Sequence, residues 1–305
     1  MAFRIIIHIT IALAALASSP FADAPRPKPI SAHNCYAENR TDNPRLVEAL
    51  ALGIDNIEID LGWDADGRRL IVGHDASPRK GIAYPGFAES LVPALEAHWK
   101  ASRTDGAPTI LTIDWKTDRP EAIRQLKEFL DAHPDWFSSA PKAADSPLTT
   151  RRLTVCFSGS EAAKDAYDAM IPQGGTYRAF RDQVFGAGAK HEPDIAAYVP
   201  EASSPYHRFL ALHWSAIEKG GPALAGEWTK AEADRLARLM DLAHRRGFRV
   251  RFYCLNGHTG APLGGYRFAS DEAAQIRWAA SADAGVDWIA SDEYREIASS
   301  FTKRT

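Results

Sequence analysis

The chain reads as a single α/β domain of the (β/α)8 TIM barrel class. Three observations predict the barrel. Strand-like and helix-like segments alternate about eight times, which calls for a parallel sheet flanked by helices. The 305 residues, less a leader, leave about 280 for the fold, close to the ~250 of a typical barrel. The phosphate-binding fingerprints of an open doubly wound sheet, G-x-G-x-x-G and G-x-x-x-x-G-K-[ST], are missing.

The leader comes first. Arg4 supplies a positive start, and residues 5–17 are apolar apart from His8 and Thr10. Thirteen residues fall short of the ~20 that span a bilayer. Ala15-Leu16-Ala17 and Ala22-Asp23-Ala24 follow as small-residue cleavage candidates. This is the layout of a secretory signal peptide over 1–24, cut after 17 or 24, ahead of one domain over 25–305. Export to the periplasm or medium is the expectation.

Along the domain, residues 29–33 read as a short first strand. A helix over 44–52 stops at Gly53, a good C-terminal signal. Strands over 54–61 and 70–72 flank an Asp64-Ala65-Asp66-Gly67 turn. A helix at 87–100, a strand at 109–113 and a helix from Pro120 to about 133 come next. The pattern continues with a strand at 153–157, a helix at 161–170, and strands at 176–180 and 209–214. Residues 184–207, rich in Gly, Pro, Ser and Ala, read as a long loop. A helix at 230–246 closes on Gly247; then follow a strand at 248–255, a helix at 271–284, a strand at 287–290 and a final helix.

Composition narrows the function. Apolar residues make up 45% and charged residues 25%, with 36 Lys+Arg against 39 Asp+Glu and a net charge of −3. That near-neutral balance argues against a large nucleic-acid surface. No basic amphipathic helix marks a membrane anchor. The three cysteines, Cys35, Cys156 and Cys254, cannot all pair, form no C-x-x-C, and read as small buried residues.

The polar residues at strand ends carry the chemistry. In Ile57-Glu58-Ile59-Asp60 the acids alternate with apolar residues, so Glu58 and Asp60 share one strand face. Asp114 and Lys116 share a face by the same spacing, with Ile113 and Trp115 opposite. Both sets sit at the C-terminal ends of their strands, where barrel enzymes place their chemistry. Inward acids are costly unless paired, solvated or bound to a cation. Glu58, Asp60 and Asp114 therefore form a candidate hard-oxygen site for Mg2+ or Ca2+; an ion-pair network with Lys116 is the competing reading. His33 and His74 flank the trio and are the candidate acid and base. His213, ending a later strand, is a weaker pocket candidate, and His98, His133 and His244 fall in helical stretches. The tryptophans near strand ends, Trp63, Trp115, Trp214 and Trp288, read as core.

His33, Glu58-x-Asp60, Asp66-Gly67 and Gly73-His74-Asp75 resemble the N-terminal half of the glycerophosphodiester phosphodiesterase-like superfamily. That superfamily of (β/α)8 barrels, the PLC-like phosphodiesterase type, includes phosphatidylinositol-specific phospholipases C and spider-venom sphingomyelinase D. Asp114-Trp115-Lys116 is similar to the acid-x-Lys of its third strand, and 285–292 (GVDWIASD) to its closing strand. Within the group, 33–36, 72–75 and 113–117 look closest to the altered inheritance of mitochondria protein 6 family. Two departures stand out. The usual His-Arg-Gly is His33-Asn34-Cys35 here, and the third acid is Asp114 where many members have Glu.

The resemblance implies a phosphoric diester hydrolase acting on a glycerophosphodiester or phospholipid head group. One divalent cation would sit on Glu58, Asp60 and Asp114. His33 and His74 would act as general acid and base, with Lys116, Arg178 and Asn256 as substrate contacts. A barrel that binds a phosphorylated ligand without turnover, and a metal-free glycosidase with two working carboxylates, are the alternatives.

Overall fold

A computed structural model describes residues 29–36, 42–101, 108–144, 146–186, 191–258 and 266–302. The leader expected at 1–24 lies outside the described residues. Among the described residues no helix is long and apolar enough to cross a membrane.

The elements follow one another almost as the sequence alternates. The first half holds β1 (Ile30–Ala32), α1 (Pro44–Ala51), β2 (Asn56–Asp64), β3 (Arg69–Val72), α2 (Phe87–Ala101), β4 (Thr109–Trp115) and α3 (Pro120–Ala132). A two-residue β5 (Ala140–Pro141), then β6 (Leu153–Gly159) and α4 (Glu161–Met170), lead to a two-residue β7 (Thr176–Tyr177) and to β8 (Ala179–Phe185). The chain ends with β9 (His207–His213), α5 (Lys230–Arg245), β10 (Arg249–Tyr253), α6 (Asp271–Asp283), β11 (Trp288–Ser291) and α7 (Tyr294–Thr302).

Eight strands, β1, β2, β4, β6, β8, β9, β10 and β11, pair in parallel around a ring. The ring closes through β1, which pairs with both β11 and β2. The fold is thus the closed eight-stranded (β/α)8 barrel that the alternation predicts. β5 and β7 form a separate two-stranded antiparallel ribbon.

Local chemistry explains the helix boundaries. Asn43 caps α1 by accepting from the Leu46 amide, and Pro44 fills the first helical position, where its missing N–H costs nothing. Ser160 and Ser270 cap α4 and α6 in the same way. Thr229 and Glu232 cap α5 reciprocally, a box worth about 1 kcal/mol. Between barrel and helices lies the apolar core. Trp115 on β4 meets Phe157 on β6 edge-on, and Phe157 meets Tyr167 on α4. The face of each strand bearing these residues therefore looks outward, as the alternation requires. Each such ring, fully buried, contributes about 1.5–3 kcal/mol.

Two departures from the sequence reading matter for the site. The strand expected at 176–180 is a two-residue ribbon followed by β8, which starts at Ala179 and continues to Phe185. The segment expected to be loop over 184–207 therefore begins inside a strand, and it also holds a short 3-10 turn at Ile195–Tyr198. Both errors share a cause. The polar residues Arg181, Asp182 and Gln183 hide the strand period, because Asp182 is buried by pairing with Lys164 rather than by being apolar.

Candidate active site

The C-terminal ends of the strands open into a cavity of about 1130 Å3. His33, Glu58, His74, Asp114, Lys116 and Asn256 all line it. Asp60 lies just beneath, fully buried.

β2 supplies the first two acids. Its register against β4 places Glu58 opposite Thr112 and Asp60 opposite Asp114. The two acids of β2 and the acid of β4 thereby meet, and oxygens of Glu58, Asp60 and Asp114 lie within 4.8 Å of one another. Lys116 bridges two of them. Its Nζ donates to Asp114 Oδ2 at 2.9 Å and lies 3.4 Å from Asp60 Oδ2. Tyr36 donates its hydroxyl to the same Asp60 oxygen at 2.8 Å. Burial pushes the Asp60 carboxyl above its usual range against the pull of Lys116. Burial works on Lys116 in the opposite sense, but the two acids outweigh it and leave the ammonium above its usual value. The ion-pair reading and the metal reading therefore describe the same cluster.

The cluster fits a hard cation. Asp60 Oδ1 is buried and has no hydrogen-bond partner, so one carboxylate oxygen is left unsatisfied in a dry place. Such an orphan costs about 1–3 kcal/mol unless something electropositive reaches it. Oxygen ligands of Mg2+ at ~2.1 Å or Ca2+ at ~2.4 Å stand ~3–5 Å apart, the spacing of this trio.

His33 follows β1 directly and is held from several sides. Its Nδ1 lies 3.0 Å from Asp292 Oδ1 and 2.9 Å from Asn34 Nδ2, and its Nε2 lies 3.4 Å from Glu58 Oε1. A carboxylate only accepts, so the Asp292 contact draws a ring hydrogen to Nδ1, while Nε2 faces the acids. Asp292 is fixed in turn by Asn34 Nδ2 at 2.8 Å and Asn256 Nδ2 at 3.0 Å. Burial pushes the Asp292 carboxyl up, but the His33 hydrogen bond and charge, with the two amide donors, hold it at about 2. Asn34 reaches this position through a left-handed backbone, φ 50°, which asparagine tolerates better than most residues.

His74 arrives by a different route. The Asp64–Gly67 turn, closed by the Gly67 amide on Asp64 Oδ1, sends β3 back antiparallel along β2. The Gly73 amide then bonds Asp60 O at 3.0 Å, which brings the exposed His74 to the rim of the acid cluster.

The structure revises one candidate contact and gives another a second set of partners. Arg178 does not reach the cavity: it precedes β8 at the opposite end of the barrel, where its Nε bonds Asp131 at 3.2 Å. Asn256 is at the site and lines the cavity: Nδ2 donates one hydrogen to Asp292 Oδ2, and Oδ1 accepts from Ser291 Oγ and the Asp292 amide, each at 3.0 Å. It therefore positions Asp292 as well as facing the cavity. His213 is buried and is not among the cavity residues; its Nδ1 is held by Ser215. All three cysteines are free; Cys35 and Cys156 are buried, whereas Cys254 is half-buried and lines the cavity.

Sequence reasoning gave no role to Asp292, Tyr36 or Arg251. Arg251 on β10 is buried, pairs with Glu58 Oε2 and donates from Nε to Ser31 Oγ at 3.0 Å. Burial pulls it down to about 10, so it remains charged at neutral pH. Its signal was the alternation Arg249-Val250-Arg251-Phe252-Tyr253, which puts Arg251 and Tyr253 on one face.

Comparisons with known proteins agree with this architecture. No protein-family model and no curated protein matches the chain. Among solved structures, an Oleispira antarctica phosphodiesterase in complex with the product sn-glycerol-3-phosphate superposes with a TM-score of 0.50 at 14% identity, covering 85% of this chain and 90% of that one. A Silicibacter pomeroyi protein assigned as a glycerophosphoryl diester phosphodiesterase superposes with a TM-score of 0.57 at 12% identity, covering 92% and 95%. At such identities the likeness is one of fold.

Proposed function

We propose that this chain is a divalent-cation-dependent phosphodiesterase acting on a small phosphodiester, a glycerophosphodiester or a phospholipid head group. One observation carries the reading. Three carboxylates converge beside an oriented histidine at the open mouth of a closed barrel, with a buried carboxylate oxygen left without a partner. The fold shared with phosphodiesterases supports it. The resemblance to the altered inheritance of mitochondria protein 6 family rests on the short motifs alone.

Glu58, Asp60 and Asp114 would hold the cation, Mg2+ or Ca2+. When bound, such an ion supplies positive charge to phosphoryl oxygens as they gain negative charge. The protein's own groups do the rest. His33 Nε2 takes the proton of the attacking hydroxyl, whether water's or the substrate's own, while Asp292 stabilises the imidazolium that forms. His74 donates a proton to the leaving oxygen. Lys116 places a fixed ammonium beside the phosphate position and keeps Asp60 and Asp114 together. We also read the protein as exported, from the leader at 1–24; cell fractionation with N-terminal sequencing of the mature protein tests this.

The test of function is a panel of glycerophosphodiesters, lysophospholipids and sphingomyelin, assayed with EDTA and after Mg2+ or Ca2+ is restored. Product should form with the metal, vanish with the chelator and return on add-back. Asp114→Asn and His33→Ala should each lose about 10^3-fold or more in kcat with unchanged circular dichroism. Turnover unaffected in both variants would refute the assignment, and ligand binding without product would favour a non-catalytic barrel.

A further inference from the structure

The feature of this site that the chemistry above leaves unused is Arg251. It comes from β10, on the far side of the ring from β4, and enters the barrel interior just below the acids. Its guanidinium is anchored at two points, on Ser31 Oγ and on Glu58 Oε2. Ser31 is itself fixed, donating to Asn56 Oδ1 at 2.8 Å, and Thr112 donates to the same oxygen at 3.2 Å. A polar row across β1, β2 and β4 thus holds the arginine where it is. These partners are buried, and Arg251, itself nearly buried, lines the cavity from below the acids.

Two consequences follow from this arrangement. One oxygen of Glu58 is committed to Arg251, which leaves Oε1, the oxygen near His33, as the only one Glu58 can offer an ion. The charges also offset one another. With Glu58, Asp60, Asp114 and Asp292 ionised, Lys116 and Arg251 cancel two of the four negative charges, −4 + 2 leaving −2. Removing Arg251 would leave −3 and a stronger pull on a divalent ion.

We propose that Arg251 is a positioning residue that confines Glu58 to a single ligand oxygen and, together with Lys116, keeps the cation affinity of the substrate-free site low, so that cation and phosphate are taken up as a pair. This rests on the phosphodiesterase reading and specifies how that site loads. Free enzyme holds its ion weakly, and the anion supplies the charge that retains it. A nearly buried cation beside a cation site opposes ion binding more strongly than one in bulk water does.

The experiment is calorimetric titration of Mn2+ into the whole protein, with and without saturating sn-glycerol 3-phosphate. Wild type should bind Mn2+ roughly tenfold or more tightly in the presence of the phosphate. Arg251→Met should bind Mn2+ alone roughly tenfold more tightly than wild type and lose most of that dependence on the phosphate. Arg251→Lys, which keeps the charge, should stay within about threefold of wild type for Mn2+ alone, a rescue that a purely packing role would not predict. The wild-type pair of titrations decides the matter even where the methionine variant fails to fold. Equal Mn2+ affinity with and without the phosphate, or an Arg251→Met affinity equal to wild type, overturns the inference while leaving the phosphodiesterase reading intact. Wild-type protein that binds no Mn2+ under either condition overturns both.

Discussion

Asp292 is the residue on which the orientation of His33 depends. Its Oδ1 meets His33 Nδ1, and it is gripped in turn by Asn34 and Asn256, so the contact that orients the imidazole is itself held. Asp292→Asn would present an amide that can donate to the ring and so favour the wrong tautomer. We expect kcat to fall about 10^2- to 10^4-fold with a much smaller change in KM, measured by steady-state kinetics on the best substrate of the panel. The same change has a signature in stability. The folded-state value of about 2 lies below the ordinary 3.8, so the interaction stabilises the protein at pH values above about 4 and is lost as pH falls toward 2. The difference in urea midpoint between wild type and Asp292→Asn should therefore shrink as pH falls from 4 to 2. A difference that does not change with pH would mean Asp292 is not ionised against His33.

At the scale of elements, strand ends position the chemistry, and Gly159 at the end of β6 shows how tightly. It has φ +71°, and an added Cβ would collide with Asp114 Oδ1 and stand 2.6 Å from Trp115 O. Asp114 can be where it is because Gly159, the register partner of Trp115 on β6, has no side chain. Gly159→Ala should cost about 1–3 kcal/mol in urea unfolding and weaken Mn2+ binding by displacing Asp114. Unchanged Mn2+ affinity would show that the Asp114 carboxylate is free to move without loss.

This scale also shows what could be read in advance. Glu58, Asp60, Asp114 and Lys116 were legible because a strand's two-residue period is local, and one run of four residues fixes who shares a face. Asp292 and Arg251 were not, because their partners lie 259 and 193 residues away, across the closure of the ring. Only the register of β11 on β1, and of β10 within the ring, brings them in. Arg178 was misplaced for a related reason. It lies between the ribbon strand β7 and the start of β8, and a strand taken to end at 180 turns its beginning into its end.

The molecule as a whole divides its labour between the two ends of the barrel, a division that titration can expose. On the phosphodiesterase reading, acids at the C-terminal mouth would carry the chemistry, whereas those at the N-terminal floor bear on stability. Asp55, just before β2, is the clearest of the latter. Its Oδ1 is buried without a partner, and burial pushes its carboxyl up to about 7, despite nearby Arg249 and a hydrogen bond from Trp288, with Asp287 adding like charge. The folded value lies above the ordinary 3.8, so the native state binds the extra proton between about pH 4 and 7. Stability must then fall as pH rises through that window, by at most about 4 kcal/mol for a shift of about three units. Asp55→Asn keeps the shape and removes the charge. The variant should match wild type near pH 4 and be more stable than wild type at pH 8 in urea unfolding. Its kcat and KM should stay at wild-type values at both pH values, because the cavity lies at the other end of the strands. A variant less stable than wild type at pH 8 would mean that the Asp55 carboxylate is ionised and favourably paired in the fold. A variant with altered kcat would mean that the floor and the mouth of the barrel are coupled through β2, whose opposite end carries Glu58 and Asp60.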